Sequence, residues 1–257
     1  MKVHLALATL FLALSAWSST AFAIIDFESA PGGGPPTDDG PILGSYTDSG
    51  VQITFGFDGD SNGSVETPAI FEEAGTFQGE GMNIGFVGSD DGITTVADTA
   101  DTGFSGQLGK WFLRGSTFGT PFGRFVIQYS SPFPVTAAGG EIWDIDGQVP
   151  LGTFNERYKV EAFDSANNSL AVQFSPIGSL TSTIAPLDGR PWVFSFSGLT
   201  AGIDHIDITF VGTKPSGIGL AFNNFYPTTA PVPEPTSLLI LAFGGCGIVS
   251  RRVPRFA

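Results

Sequence analysis

Apolar and polar residues alternate along much of the chain, which is the pattern of β-strands with one buried face. In "VQITFGF" (residues 51–57) the four large apolar residues occupy odd positions and share one face. The same alternation recurs in "ERYKVEAF", "SLAVQF", "WVFSFS" and "HIDITF". Further strands are predicted at "IIDFE", "MNIGFV", "KWFLRG", "GRFVIQY", "GGEIWDID" and "GLAFNNF", with Gly-, Pro-, Asp- and Asn-rich turns between them.

Short strands with one polar face predict antiparallel sheets that pack face to face. We expect residues 24–226 to form one all-β domain, an antiparallel β-sandwich of jelly-roll type. A barrel is the alternative, and no internal repeat indicates a propeller. Roughly 200 residues suffice to bury a substantial core.

The N-terminus, residues 1–23, reads as a secretory signal peptide. Lys2 precedes an apolar stretch from Leu5 to Ala16, and small residues follow at Ala21 and Ala23. This order predicts export and cleavage after Ala23. An uncleaved anchor is the alternative, but the apolar stretch is short for a bilayer.

The C-terminus combines a proline-rich spacer at residues 227–236 with an apolar and basic segment at residues 237–257. As a helix, Ser237 to Ser250 would be about 21 Å long, short for the roughly 30 Å of bilayer hydrocarbon. Arg251, Arg252 and Arg255 would remain cytoplasmic. The pattern therefore predicts a short hydrophobic helix that inserts in the inner membrane and leaves the domain outside.

The order of these features resembles the PEP-CTERM sorting signal of Gram-negative bacteria over residues 232–255. Pro233, Glu234 and Pro235 match the signature, Leu238 to Val249 match the apolar helix, and Arg251 and Arg252 match the basic stop. The resemblance implies that exosortase, a membrane peptidase, is the processing partner. It also implies delivery to the cell surface or the extracellular polymer matrix. An ordinary tail anchor with a proline-rich stalk is the alternative.

Charge and cysteine content narrow the classes of partner. The chain has 25 acidic and 11 basic residues, a net charge of −14. Such a surface repels nucleic acid and anionic lipid, so we expect no nucleic-acid partner. The single cysteine, Cys246, lies in the tail, which excludes disulfides, thiol catalysis and cysteine-ligated zinc in the domain.

The stretch "DGDSNG" carries two candidate chemistries. Asp58, Asp60, Asn62 and Gly63 match the first half of an EF-hand calcium loop, but position 12 is Ala69, so we expect at most a looser calcium loop. The same letters contain G-x-S-x-G around Ser61. A nucleophile elbow would need a following helix, which the sequence does not predict.

A second calcium position follows from a resemblance. The opening "DFE" and the closing "FNNF" resemble the first and last strands of jelly-roll carbohydrate-binding modules, in which acidic and amide side chains share a structural calcium. On that resemblance, Glu28 and Asn223 or Asn224 are the candidate ligands.

The remaining candidates for chemistry are His205, two carboxylate pairs and the tryptophans. Strand parity places His205 on the polar face with Asp207, which predicts a solvent-facing histidine. The pairs Asp26/Glu28 and Asp144/Asp146 have the roughly 7 Å spacing of an inverting glycosidase, as any D-x-D strand does. The aromatic residues that could stack against sugars are Trp111, Trp143 and Trp192. We expect Trp143 to lie in the core, because it shares a strand face with Ile145.

The sequence predicts an exported, non-enzymatic protein of the cell surface or exopolysaccharide matrix, with no catalytic residues of its own. A calcium-stabilised carbohydrate-binding module is one alternative, with exopolysaccharide as its partner. A membrane-anchored glycan hydrolase is the other, and it would require a closed pocket around Asp144/Asp146 or Ser61.

Overall fold

The computed structural model describes residues 24–75, 100–101, 103–114, 123–145, 147–148, 154–178, 187–215, 218 and 221–229. Within these residues the chain is all-β, as the alternation predicted, with one four-residue helix, α1 (Ser105–Leu108). The strands are β1 (Tyr46–Asp48), β2 (Val51–Asp58), β3 (Thr67–Pro68), β4 (Ile70–Glu73), β5 (Trp111–Arg114), β6 (Arg124–Ser130), β7 (Val135–Ile145), β8 (Gly147–Gln148), β9 (Phe154–Asn155), β10 (Tyr158–Phe163), β11 (Ser169–Phe174), β12 (Leu187–Phe196), β13 (His205–Phe210) and β14 (Ala221–Thr229).

The strands form two large antiparallel sheets. Sheet I has the order β1-β2-β6-β13-β10-β11, and β3 also pairs with β2. Sheet II has the order β12-β7-β14-β5-β4, and β8 and β9 form a separate two-stranded ribbon among the described residues. Successive strands often change sheets: β5, β7, β12 and β14 lie in sheet II, whereas β6, β10, β11 and β13 lie in sheet I.

One hydrophobic core joins the two sheets. Phe125 of β6 stacks on Phe222 of β14, with ring centroids 4.0 Å apart and planes 8° apart. Phe225 of β14 also contacts Phe55 of β2, with centroids 5.0 Å apart. Since these ring pairs join opposite sheets, the inner faces pack directly on each other.

The predicted alternation in "VQITFGF" is confirmed, because Val51, Ile53 and Phe55 are each at most 1% exposed. The segment "IIDFE" differs from its prediction. Only Ile25 pairs there, in an isolated bridge to Phe225, and Phe27 turns the chain with a φ of 60°. The segment "MNIGFV" lies outside the described residues.

Parity fails near the end of β7. Asp144 has a φ of 63°, and the pairing with β12 shifts register between Leu187 and Pro191. Ile145 therefore faces the main core, while Trp143 lies in a second apolar cluster with Leu108, Phe112 and Ala221. Trp143 is fully buried, but the prediction that it shares a face with Ile145 is wrong because the left-handed residue breaks the two-residue period.

The domain extends beyond the predicted boundary at Tyr226. Pro227, Thr228 and Thr229 continue β14 and pair with Ala138, Ala137 and Val135 of β7. The first three residues of the predicted spacer are thus part of sheet II.

No helix within the described ranges has the length and apolar character needed to cross a membrane. The predicted signal peptide, the rest of the spacer and the tail helix lie outside those ranges.

Candidate functional site

The segment after β2 folds back over the outer face of sheet I; we call residues 59–66 the Asp58 loop. The Asp58 carboxylate accepts hydrogen bonds from the backbone N–H groups of Asp60 (3.0 Å), Ser61 (2.5 Å) and Gly63 (2.7 Å). Ser61 and Gly63 have φ values of 66° and 85°. This curled backbone lets one side chain bind several successive amides.

Asp58 is buried at the base of this loop. Burial would raise the pKa of its carboxyl, but the loop N–H donors, led by Gly63, and the charge of Arg124 hold that pKa below its usual value. Asp58 is therefore held as a carboxylate whose main interactions are with its own loop.

The loop also gathers oxygen ligands of the type that calcium prefers. One carboxylate oxygen from each of Asp58, Asp60 and Glu66 lies within 4.8 Å of the others. Asn62, by contrast, uses its side-chain oxygen to accept the N–H of Ser64 at 2.7 Å. The donor types fit a hard cation, but Asp58 already serves three amides, so a calcium loop here stays a prediction.

Glu66 is the member of this group that sequence reasoning missed. Its Oε2 accepts the N–H of Gly59 at 2.7 Å, which closes the two arms of the loop on each other. The signal was available only indirectly. Glu66 precedes the strand that returns beside β2, so a hairpin assignment for this stretch would have placed it opposite Asp58.

His205 is buried, and the prediction of a solvent-facing histidine is wrong. Its side chain is 3% exposed, and its ring stacks on Phe163 with centroids 4.9 Å apart. Parity was correct, since His205 does lie on the outer face of sheet I with Asp207. That face is covered there by the Asp58 loop: a Cβ added to Gly63 would lie 2.7 Å from the imidazole Nε2.

Two carboxylates flank this histidine. His205 Nδ1 lies 3.1 Å from Asp204 Oδ2, and Nε2 lies 3.9 Å from Asp207 Oδ1. The other oxygen of Asp207 accepts a hydrogen bond from Arg124 at 2.6 Å. Burial raises the pKa of Asp207, and the charges of Arg124 and His205 oppose this only in part. The result is an acid–histidine–acid arrangement in which His205 and Asp207 are buried and Asp204 is partly exposed.

The G-x-S-x-G stretch lies in this same loop. Ser61 is exposed, its backbone N–H is used by Asp58, and the loop leads to β3 rather than to a helix. A nucleophile elbow needs a strand–turn–helix order that presents the serine to a base. Although His205 approaches Gly63, the local order around Ser61 is that of a β-hairpin.

Glu28, Asn223 and Asn224 all bind the segment that contains α1. Glu28 Oε1 accepts the backbone N–H of Lys110 at 2.6 Å and of Trp111 at 3.2 Å. Asn223 Nδ2 donates to the carbonyl oxygens of Leu108 at 2.5 Å and Trp111 at 3.4 Å. The structure therefore brings the predicted ligands to one segment, residues 107–111.

Their orientation does not suit calcium. Asn223 offers its amide nitrogen to the segment, and Asn224 Nδ2 likewise donates to Gln107 O at 2.9 Å and Glu141 Oε2 at 2.8 Å. Calcium takes oxygen ligands. As placed, these amides fasten the segment through hydrogen bonds, and the donor set at this position does not fit the ion.

Glu141 is the second residue that sequence reasoning did not single out. It is buried, and its carboxylate accepts hydrogen bonds from Gln107 Nε2 (2.6 Å), Trp143 Nε1 (3.0 Å) and Asn224. Burial raises the pKa of Glu141, against the opposing effect of these neutral donors. The stretch "GGEIWDID" itself supplies only the Trp143 donor; the other two come from α1 and β14, which the sequence does not place beside Glu141.

Of the two predicted carboxylate pairs, only Asp26/Glu28 lies wholly within the described residues, and there the two side chains bind different groups. Asp26 accepts the backbone N–H of Glu28 at 3.2 Å, whereas Glu28 binds the α1 segment. Asp144 is buried and accepts the N–H of Gly189 at 3.3 Å. Asp146, its predicted partner, lies outside the described residues.

The tryptophans proposed as sugar-stacking surfaces are largely enclosed. Trp111 is 7% exposed and Trp143 is fully buried. Trp192 is half-buried and packs against the main core. Lys110 further covers Trp111, with its Nζ 4.9 Å from the ring centroid. Within the part of the chain that the structure describes, the exposed aromatic rings are Phe133 and Phe174, each about half exposed.

No protein-family model matches the chain, and no curated protein sequence matches it.

Proposed function

We propose that this chain is an exported, non-enzymatic protein of the cell surface or extracellular matrix, delivered and processed through its C-terminal sorting signal. The observation that carries the proposal is the order of features in the tail. Pro233-Glu234-Pro235, an apolar run and an arginine pair follow each other at one end of a chain whose other end reads as a signal peptide.

The pairing of Ile25 supports cleavage after Ala23. Ile25 N–H donates to Phe225 O at 2.8 Å, and Phe225 N–H donates to Ile25 O at 3.1 Å. The second residue of the proposed mature chain is thus already paired with β14. Cleavage after Ala23 would leave Ile24 ahead of this pair, so the mature chain would keep both hydrogen bonds between Ile25 and Phe225.

The exit of the chain supports a tail that acts as a tether before processing. β14 lies between β7 and β5 in sheet II, and its last residues pair with β7 up to Thr229. The proposed spacer follows directly. Force on a tail that is attached to an internal strand is shared by several backbone hydrogen bonds. The domain can therefore remain folded while its membrane segment is held.

The bonding of the candidate catalytic groups supports a non-enzymatic role. Asp144 binds a backbone amide, Glu28 fastens the α1 segment, and His205 is packed beneath the Asp58 loop. A general acid or base must reach the substrate proton within hydrogen-bond distance. These groups are engaged in holding the fold instead.

We assign the domain to the jelly-roll type. The strand orders β5-β14-β7-β12 and β6-β13-β10-β11 support this, because each sheet interleaves early and late strands of the chain. Such interleaving is what two Greek keys wound together produce. A carbohydrate-binding role in the exopolysaccharide remains the alternative, and the enclosed tryptophans make a stacking platform at those residues unfavourable.

Exchange of the motif residues tests the sorting signal. The double variant Pro233→Ala/Glu234→Ala should keep its C-terminus at Ala257 and remain in the membrane fraction of a host that contains exosortase. Pro231→Ala, which changes a spacer proline outside the motif, is the matched control and should be processed like the wild type. Intact mass of the recovered proteins measures the outcome, and loss of the tail from the double variant would contradict the proposal.

A further inference from the structure

A groove of about 300 Å³ lies at the end of the sandwich where β14 ends. Residues 131–135, which run from the end of β6 into β7, form one wall, and residues 201–204, which precede β13, form another. Ser165, in the turn after β10, and Tyr129 also line it. We call this cavity the Phe133 groove. Its size is at the lower end of the range of ligand pockets and suits a few small side chains.

Phe133 presents an apolar ring at this groove. The residue is 47% exposed. Its backbone N–H donates to Ser131 Oγ at 3.1 Å, and Pro132 and Pro134 on either side restrict the backbone. The ring is therefore held on a short, stiff loop with much of its surface in water. Grooves that carry exposed aromatic rings bind proline-rich segments in the extended polyproline II conformation.

The direction of β14 brings the chain to this groove. Thr229, the last residue of β14, pairs with Val135, which lines the groove. Since β7 and β14 are antiparallel, a chain that continues past Thr229 heads toward Pro134 and Phe133. The backbone ladder cannot extend with it, because Pro134 has no N–H to donate. The groove, and not a further strand, is thus the surface offered to the residues after Thr229.

The residues after Thr229 have the composition that such a groove binds. Residues 230–233 read "APVP", and Glu234 and Pro235 follow. Alternate prolines favour polyproline II, which rises about 3.1 Å per residue, so these four residues would span about 12 Å. That reach is short enough for the segment to stay beside the wall that carries Phe133.

Charge determines which part of the tail fits. Among the described residues that line the groove, Asp204 is the charged one, and its Oδ2 lies 3.1 Å from His205 Nδ1. A carboxylate here repels Glu234, whereas residues 230–233 are uncharged. The part of the tail that suits the groove therefore ends before Glu234.

We propose that the Phe133 groove binds residues 230–233 of the same chain, with a proline ring packed on Phe133. The contact covers an apolar ring that the domain otherwise exposes, and burial of that surface stabilises it. It also fixes the path by which the tail leaves the domain and holds Glu234 and Pro235 just outside the groove. This inference goes beyond the sorting signal, because the contact is the same whether the tail is later removed or retained.

Photo-crosslinking of the full chain tests the contact. Phe133 is replaced by the photoreactive benzoylphenylalanine in a host without exosortase, so that the tail is retained, and cross-linked peptides are mapped by mass spectrometry. We expect cross-links from position 133 to residues 230–233. The same replacement at Phe174 is the matched control, because Phe174 is similarly exposed but pairs with Lys159, at the far end of β10 from the groove. It should give no cross-link to these residues.

Two variants test the role of the proline rings in the chain that carries benzoylphenylalanine at position 133. Pro231→Gly/Pro233→Gly removes both rings of the docked part and should lose the cross-link. Pro235→Gly, which lies beyond Glu234, is the control and should keep it. Both changes follow the end of β14, so they leave the strand pairs of the domain unchanged. An undiminished cross-link in the double variant would contradict a contact through the proline rings.

A mixture of isotope-labelled and unlabelled chains identifies the occupant of the groove. Cross-links within one chain support the proposal. Cross-links between labelled and unlabelled chains would show that the tail of a second copy fills the groove, and they would overturn it. Absence of cross-links from position 133 to residues 230–233, or equal yields at positions 133 and 174, would overturn it as well.

Discussion

Gly63 is the point at which the Asp58 loop meets sheet I. Its φ of 85° lies in the left-handed region, and its missing side chain leaves the space that the His205 ring fills. The position of this glycine in a turn-rich stretch of the sequence is enough to explain its left-handed backbone. The second requirement, close approach to a histidine more than a hundred residues away, comes only from the fold.

Replacing Gly63 by alanine should therefore lower the free energy of unfolding more than placing an alanine at another left-handed position. Gly50→Ala is the matched control, because Gly50 has a φ of 80° but nothing within 4 Å of an added Cβ. We expect Gly50→Ala to lower the free energy of unfolding by about 1 kcal/mol. Gly63→Ala should lower it by about 2 kcal/mol more, because the methyl group overlaps the imidazole. Denaturant unfolding of both variants measures the difference, and equal losses would show that the loop moves away without cost.

At the scale of elements, the side chain of Gln173 links an edge of sheet I to an edge of sheet II. β11 ends sheet I and β12 ends sheet II. Gln173 of β11 donates through Nε2 to Ser195 O at 2.5 Å and accepts the Ser195 N–H through Oε1 at 3.4 Å. The amide thus pairs with the backbone of β12 as a strand would, and it occupies polar groups that an edge otherwise presents to other chains.

Gln173→Glu should weaken this link between β11 and β12. A carboxylate can accept the Ser195 N–H, but it has no proton to donate to the Ser195 carbonyl. We expect a loss of about 1–2 kcal/mol in the free energy of unfolding at pH 7 and faster hydrogen exchange of the Ser195 amide. Gln52→Glu, an exposed change on β2, is the control and should stay within about 0.5 kcal/mol of the wild type. A Ser195 amide that exchanges equally in both variants would contradict the role given to Gln173.

The alternation of apolar residues predicted most of these elements, because burial of one face is local in sequence. It failed where single residues leave the strand conformation, at Asp144 and at Asn224, whose φ values are 63° and 54°. It also missed the burial of His205, because the cover comes from a distant loop. Parity states which face a side chain lies on, and only the fold states whether that face is covered.

At the scale of the whole molecule, the β-domain and the two ends of the chain have different proposed roles. The sandwich places its first described residues and its last strand together, through the bridge between Ile25 and Phe225. The proposed cleavage after Ala23 thus lies just ahead of Ile25, which pairs with Phe225 of β14, and Pro233 follows soon after β14 ends at Thr229. The proposed sorting motif could be recognised in the sequence because signals of this kind are linear. The Gln107 and Asn224 donors to Glu141 and the cover over His205 could not, because they depend on packing between distant segments.

The central claim is that the chain is exported, trimmed at both ends and released from its membrane segment. The most direct measurement is the intact mass of the protein recovered from its native host, with the surface fraction and the culture supernatant taken separately. The account predicts a chain that begins at Ile24 and ends close to Pro233-Glu234-Pro235. A chain that still ends at Ala257 and occurs only in membranes would contradict it.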